Sequence, residues 1–151
     1  MVDLVEAALL DTLKKDEVLR KYVRQFEMLP SLDEPDLVPI IKNFPSVGVM
    51  AASGKLDLSM NAAVMDDTGI YCVLCFTQNL RSRSAAFTRG VPGEKGVWEV
   101  VMDALRAAMR SRSLDHDMVT GVLPHRRVLL WASGKWTAAS LELLISYRMS
   151  F

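Results

Sequence analysis

The sequence predicts an α+β fold: a single domain with a largely antiparallel or mixed β-sheet, two main helices packed on one face and a long loop before the second helix. Segment 70–77 is apolar on both faces, as in a central strand that is covered on both sides. The apolar stripe from Val97 to Met109 has the spacing of an amphipathic helix. Runs of strands with helices at only two places favour α+β, and 151 residues usually form one domain, here residues 1–151.

The N-terminal segment is predicted to form a helix and then a strand. Asp3 and Glu6 have the spacing of a capping box with Asp3 as the N-cap, and the apolar stripe that follows predicts a helix over residues 3–15. From Tyr22 onward apolar and polar side chains alternate, which favours a strand that ends at Pro30.

The middle of the chain is predicted to contain a connector rich in proline and acidic residues, followed by strands and turns. Short apolar runs predict the strands, and clusters of Ser, Gly and Asp predict the turns. Gly48, inside the first of these strands, indicates a close backbone approach or a bulge. The predicted elements are the connector over 29–39, a helical turn over 37–44, strands over 46–52 and 57–63, and turns over 53–55 and 66–69.

The C-terminal segment predicts a β-hairpin. An apolar strand over 128–132, a turn over 133–135 and a long strand over 136–151 follow one another, which is the order that a hairpin requires. This pattern does not define the order of the strands within the sheet.

Composition and charge predict a soluble protein made in a cytoplasm. No run approaches the roughly 18 apolar residues of a membrane span, and the N-terminus lacks the basic and apolar regions of a signal peptide. The net charge is zero, but residues 1–70 have a balance of −5 and residues 71–151 one of +5. Such asymmetry suits head-to-tail association of copies, unless the two halves interleave in the fold and the asymmetry disappears.

The two cysteines, Cys72 and Cys75, have a C-x-x-C spacing inside an apolar strand. In redox proteins such a pair lies at a helix N-terminus, where the dipole lowers a thiol pKa. On a strand, residues three apart point to opposite faces instead. A zinc site needs further ligands, and His116 and His125 are the only histidines. We therefore expect buried core cysteines and no metal site.

Two further patterns resemble parts of active sites. Ala-Ser-Gly-Lys occurs at 52–55 and at 132–135, without the glycine spacing and the following Ser or Thr of a Walker A phosphate loop. Asp115-His116-Asp117 lies in a polar segment, where these residue types are common in caps and turns. No nucleophile elbow accompanies it, so we expect no catalytic residue, no cofactor and no enzyme activity.

The segment 78–95 has the clearest functional pattern. It contains 18 residues, which is longer than most connections, and such loops are usually functional or disordered. Its side chains include Arg81, Arg83 and Arg89, together with Phe87. These residues suit a loop that becomes ordered on a partner, where the arginines contact either DNA phosphate or an acidic protein surface. The alternative is an ordinary solvated loop.

Two residues of the second main helix widen its apolar surface. Trp98 and Met102 lie beside the predicted buried stripe. Trp and Met are enriched at protein interfaces, so these two residues are predicted subunit contacts. The alternative is that both lie at the edge of the core.

The order of elements along the chain matches that of a known group of proteins. The segments that carry the likeness are the helix at Val2–Leu13, the strand at Phe44–Ala52, the strand at Tyr71–Thr77 that leads through Arg81-Ser82-Arg83 to a glycine, the helix that begins with Gly96–Val101 and the strand at Leu141–Phe151. In this pattern, which covers nearly the whole chain, the protein resembles the tail terminator proteins of Mu-like phages and prophages.

The resemblance implies a structural virion protein without catalytic residues. Tail terminators form a ring, typically a hexamer, at the head-proximal end of the tail. The ring caps the tail tube protein, stops tube polymerisation and provides the joint to the head–tail connector protein. The implied location is the virion, with assembly in the host cytoplasm, and Arg81, Arg83, Phe87 and Arg89 then face either a protein interface or the lumen. DNA passing through the lumen is a further candidate partner.

Two other functions remain open from the sequence. One is another tail or neck component, such as a tail completion or tube-like protein. The other is a small hydrolase or nucleotide-binding enzyme, which requires a concave pocket with convergent polar groups and a role for His116 or His125.

Overall fold

The computed structural model of the protein describes residues 2–58, 64–78, 95–110, 113–114, 116–132 and 136–150. Within these ranges, helices and strands follow one another in an α+β order. The helices are α1 (Val2–Lys15), α2 (Glu17–Tyr22), α3 (Glu34–Leu37) and α4 (Val97–Arg110), and the strands are β1 (Gln25–Met28), β2 (Ser46–Leu58), β3 (Val64–Gln78), β4 (Val119–Ala132) and β5 (Trp136–Ser150). In the part of the chain covered by these ranges, no helix is both long and apolar enough to cross a membrane.

The strands form one mixed sheet in the order β1-β2-β3-β5-β4. β1 pairs with β2 in parallel, and every other neighbouring pair is antiparallel. β3 lies in the centre of the sheet, which explains why its sequence is apolar on both faces. The predicted α+β fold and the C-terminal β4–β5 hairpin are therefore confirmed.

The two main helices pack on the same face of the sheet, as predicted. The apolar stripe of α4 is buried at Val97, Val100, Val101, Ala104 and Ala108. It belongs to a cluster, here called the first core, that also contains side chains of α1 and the sheet residues on that face. Burying a valine or leucine side chain contributes about 1.5–3 kcal/mol, so this stripe accounts for the position of α4.

The opposite face of the sheet is covered at one end by the connector between β1 and β2. Leu37 and Ile41 of the connector pack with Leu74 and Phe76 of β3 and with Trp136 of β5, which form a second core. The rings of Phe76 and Trp136 are stacked, with centroids 5.4 Å apart. β3 therefore contributes alternate side chains to two separate cores.

Gly48 in β2 allows the connector to approach the sheet closely. A Cβ added at Gly48 would lie 2.2 Å from Cδ1 and 2.6 Å from Cγ of Leu29, so no larger residue fits without displacing that side chain. Leu29 is itself buried in the second core. The predicted close approach at this glycine is confirmed.

The ends of the first two helices differ in how they are capped. Asp16 is the N-cap of α2, where its Oδ2 accepts hydrogen bonds from the backbone N–H groups of Val18 and Leu19. The predicted capping box of α1 is wrong, because the helix already includes Val2. Glu6 instead accepts a hydrogen bond from the backbone N–H of Ala51 at 2.9 Å, which satisfies a donor of β2 just past the end of β1.

The two turns predicted in the middle of the chain are wrong, because both segments lie inside long strands. Residues 53–55 belong to β2, and residues 66–69 belong to β3. Lys55 pairs with Thr68 in the antiparallel register of these strands, while β5 pairs with the other side of β3. Sheet hydrogen bonds on both sides of β3 therefore outweigh the local turn preference of its Asp and Gly residues.

Three other boundaries differ from the predictions. A helical turn is predicted over 37–44, but the helix α3 lies earlier, at Glu34–Leu37. Pro35 lies in its first turn, where a backbone N–H has no helical partner and proline is favoured. The first two residues of the strand predicted over 57–63 belong to β2, which ends at Leu58. Residues 59–63 lie outside the described ranges. β4 begins at Val119, before the predicted start at 128, and its register with β5 shifts at three places.

Candidate functional site

The predicted contact loop lies mostly outside the described residues. Arg81, Arg83, Phe87 and Arg89 all fall there, so their role as an interface or lumen element stays a prediction. The described chain enters the loop at the end of β3 and leaves it just before α4.

The two predicted subunit contacts on α4 are half-buried. Trp98 packs against the first core, and the guanidinium of Arg127 in β4 lies 5.1 Å from the centre of its ring. Met102 lies one helical turn further along. Both positions leave part of the side chain accessible, so their contact with another copy stays a prediction.

The Asp-His-Asp segment contains a turn rather than an assembled site. Nδ1 of His116 accepts a hydrogen bond from the backbone N–H of Met118 at 3.2 Å. Asp117 is exposed, Asp115 lies outside the described ranges, and His125 is exposed on β4. Among the described residues, no group of three or more His, Cys, Asp and Glu side chains is placed to hold a metal ion.

The prediction of buried core cysteines is confirmed. Cys75 lies in the first core and Cys72 in the second, on opposite faces of β3. Both are free thiols and both are buried. Burial raises the pKa of each thiol above its ordinary value, which suppresses the nucleophilic thiolate.

Both thiols of the folded protein are expected to resist a thiol-specific reagent. Neither has access to solvent, so modification requires opening of the core and accelerates sharply in urea. Time courses of native and unfolded protein, followed by absorbance, measure this. Cys72→Ala and Cys75→Ala variants assign the signal to one thiol. Rapid modification of either variant under native conditions contradicts the expectation.

A basic cleft lies beside the end of the sheet where the predicted loop begins. Its volume is about 600 Å³. It is bounded by the C-terminal end of α2, by the turn that precedes β2, by the end of β3 and by Lys95, two residues before α4. The lining cations are Arg20, Lys21, Arg24 and Lys95.

A buried polar network forms one wall of the cleft. Tyr22 donates a hydrogen bond to Oδ2 of Asp103 at 2.7 Å, and Nζ of Lys95 lies 3.6 Å from the same oxygen. Arg106 donates to Oδ1 of Asp103 at 3.1 Å. Nζ of Lys95 also lies 5.3 Å from the centre of the Tyr22 ring. These contacts hold the end of α2 against α4 and therefore fix the width of the cleft.

The network keeps Tyr22 protonated. Burial is the main reason why the pKa of Tyr22 is raised, and its hydrogen bond to the Asp103 carboxylate raises it further. Tyr22 is therefore a hydrogen-bond donor at neutral pH, and Asp103, only 8% exposed, is the acceptor at the centre of the network.

Sequence reasoning missed this cleft, because its residues come from four separate segments. The only local signal was the group of three cations at Arg20, Lys21 and Arg24. Such a group near a helix C-terminus is also favoured by the helix dipole, so it does not indicate a cleft by itself.

Large apolar side chains are exposed on two different surfaces. On β4, Leu123 is 61% exposed and Leu129 is 41% exposed, next to the exposed bases His125 and Arg127. We call these four residues the β4 surface. Leu123 pairs with Leu144 of β5 and Leu129 pairs with Ala139, so the two leucines lie on opposite faces of the sheet at its edge. Exposed large apolar residues flanked by charges along an edge strand suit a protein partner that packs around that edge.

The second surface is formed by the connector. Val38 is 54% exposed and Leu32 is 36% exposed. The exposed acids Asp33 and Asp36 accompany them. We call these four residues the connector surface. Its charge is opposite to that of the β4 surface.

Comparison with known proteins adds no family assignment: no protein-family model and no curated protein matches this chain.

Proposed function

We propose that this protein is a phage tail terminator, a structural protein that assembles into a homo-oligomeric ring. In this proposal the ring, a hexamer by resemblance, caps the head-proximal end of the tail tube. It stops tube polymerisation and provides the joint to the head–tail connector protein.

The observation that carries the proposal is the β4 surface. β4 is a 14-residue strand at one edge of the sheet, so one side of its backbone has no neighbour among the described strands. The edge presents Leu123 on one face of the sheet and Leu129 on the other, beside basic side chains. A long edge strand with exposed apolar residues is a surface that readily joins another chain.

The connector surface supplies a complementary partner. It is acidic and apolar where the β4 surface is basic and apolar. Two unlike surfaces that meet between copies make a heterologous contact, and a closed set of such contacts is a ring. Opposite charges on the two surfaces favour this head-to-tail orientation over contacts between like surfaces.

Irregularities in β4 favour a closed assembly over a fibre. The register of β4 shifts at three places relative to β5, and Pro124 lacks a backbone donor. Bulges and proline interrupt the regular hydrogen-bonding edge on which strands add indefinitely. Contact through side chains of the β4 surface is therefore favoured over continuous strand pairing.

Leu123→Asp is expected to abolish or weaken ring formation by about 10-fold or more, because it places a charge in the apolar part of the contact. Native mass spectrometry and sedimentation across a concentration series measure the assembly. Leu4→Asp is the matched control, since Leu4 is 49% exposed on α1 and belongs to neither surface. An exclusively monomeric wild type, even with tail tube protein present, overturns the proposal.

Addition to polymerising tube protein separates the terminator from a tube-like protein, whose subunits would use the same exposed edge. A terminator shortens the tubes and lies at one end of each, whereas a tube-like protein copolymerises along the length. Electron microscopy with a tagged protein distinguishes the two distributions. Tubes of unchanged length count against the terminator.

A further inference from the structure

We propose that the basic cleft between α2 and the start of α4 is a binding site for phosphate groups. This inference is independent of ring formation, because none of the cleft residues belongs to the β4 surface or to the connector surface. Its ligand class follows from the charge, the unpartnered donors and the size of the cleft.

The first observation is a set of cations without acidic partners. Arg20, Lys21 and Arg24 line the cleft, and none forms an ion pair with a carboxylate of the described residues. Four other arginines of the described chain do form ion pairs with carboxylates: Arg106, Arg110, Arg126 and Arg148. Guanidinium groups left free in a concave site are suited to phosphate, which they bind in a bidentate manner.

The charge of the fourth cation is partly compensated. Nζ of Lys95 lies 3.8 Å from a carboxylate oxygen of Glu99 and 3.6 Å from one of Asp103. The positive potential of the cleft therefore comes mainly from the α2 side. Lys95 also lines the cleft, so an anion there meets cationic groups from two separate segments of the chain.

The second observation is a buried hydroxyl without a partner. Thr77, near the end of β3, lines the cleft and is only 2% exposed. Its Oγ1 is buried and has no hydrogen-bond partner in the described part of the chain. Buried polar groups are almost always paired, so this hydroxyl is a candidate donor to a ligand or a water that enters the cleft. Phosphate oxygens are strong acceptors and suit this donor.

The third observation is the size and the apolar part of the cleft. A volume of about 600 Å³ lies in the range of small-molecule sites, which is roughly 300–1,000 Å³. Phe44 and Pro45 line the cleft on one side. The space exceeds that of a lone phosphate, and an aromatic side chain suits an apolar or planar body attached to it. The ligand is therefore either a small phosphorylated molecule or a nucleic-acid backbone, which share the phosphate group.

Calorimetric titration of the full-length protein tests the site with three probes: pyrophosphate, a short DNA duplex, and oligo-glutamate of matched charge. Arg20→Gln/Arg24→Gln is expected to weaken phosphate binding by about 10-fold or more, because it removes two charge-assisted contacts. Thr77→Val keeps the side-chain shape and is expected to weaken binding by roughly 3- to 10-fold. Lys14→Gln/Lys15→Gln, on exposed positions of α1, removes the same charge elsewhere and is expected to change affinity by less than about twofold.

The probes also separate the two sources of phosphate. Tighter binding of the duplex identifies a nucleic-acid backbone, and tighter binding of pyrophosphate identifies a small ligand. The proposal is overturned if the wild type binds neither phosphate probe, if oligo-glutamate binds as tightly as pyrophosphate, or if the α1 control loses as much affinity as the cleft variant. Thermal unfolding verifies that each variant folds, and Lys21→Gln repeats the test with a single exposed change.

Discussion

Raising the pH above about 10 is expected to unfold the protein, because its tyrosines keep their protons when folded and lose them when unfolded. The chain has three tyrosines. Tyr71 and Tyr147 are 1% and 2% exposed, and Tyr22 is half-buried in the Asp103 network. Burial is the main cause in all three, and it raises the pKa of Tyr71 to about 12 and also raises those of Tyr22 and Tyr147.

The direction in which stability changes with pH follows from proton release. Above the ordinary tyrosine pKa of about 10 the unfolded chain has lost protons that the folded chain retains, so stability is full below this pH and falls as the pH rises. Each fully buried group lowers the free energy of unfolding by about 1.4 kcal/mol per pH unit. Burial and the Asp103 charge also raise the pKa of Cys75. Because the ordinary pKa of a thiol is lower than that of tyrosine, the stability loss due to Cys75 begins at a lower pH than the loss due to the tyrosines. Together these losses approach the stability of a small domain, about 5–15 kcal/mol.

Urea titrations at a series of alkaline pH values measure this dependence. Tyrosinate absorbance is expected to appear together with the loss of near-ultraviolet circular dichroism. Tyr147→Phe is expected to flatten the pH dependence by one group, and so is Tyr22→Phe, because the Tyr22 hydroxyl also keeps its proton in the folded protein. Full tyrosinate absorbance in a protein that is still folded contradicts the prediction.

Gly48→Val is expected to destabilise the protein by about 1–3 kcal/mol, because overpacking forces side chains and backbone to shift. An added Cβ lies 2.2 Å from Cδ1 of Leu29. Leu29 is only 6% exposed, so it cannot move aside without losing its burial in the second core. Urea denaturation followed by circular dichroism measures the change in the free energy of unfolding.

A matched glycine and a double-mutant cycle isolate the cause. A Cβ added at Gly121 meets nothing within 4 Å, so Gly121→Ala is expected to have little effect. Gly48→Ala is expected to cost clearly less in a Leu29→Ala background than in the wild type, because the clashing atoms are gone. Equal costs of Gly48→Ala in both backgrounds would show that the contact with Leu29 is not responsible.

The elements with strong periodicity were predictable from the sequence. The apolar run of β3 and the stripe of α4 determine which surfaces must be buried, so the central strand, the helix face and the C-terminal hairpin follow from them. The close approach at Gly48 was also predictable, because a glycine inside a strand often marks a bulge or a place where another part of the chain comes near the backbone.

The long strands were not predictable in full, because local preference and sheet pairing conflict there. The Asp and Gly residues at 66–69 are typical of turns, yet they pair with β2 on one side and β5 on the other. Pairing with strands remote in sequence decides such cases, and a single sequence does not show which strands will be neighbours.

The cleft was unpredictable for a related reason. The cations at Arg20, Lys21 and Arg24 and the hydroxyl of Thr77, which lack partners among the described residues, suggest a site only because folding places them around one cavity. Whether an arginine has a carboxylate neighbour is a property of the fold, as the pairing of Arg110 with Asp16 across 94 residues shows.

Phe44 contacts both the cleft and a tryptophan, so tryptophan fluorescence can report on the cleft. Phe44 lines the cleft, and its ring lies edge-on to Trp136 with centroids 5.7 Å apart. Trp136 in turn contacts Trp131 in the second core. Occupation of the cleft is therefore expected to change the fluorescence of an indole pair without any label. Trp98 lies under Arg127 of the β4 surface, so assembly through that surface changes a different indole. Replacing one tryptophan at a time separates ligand binding from assembly in a single titration.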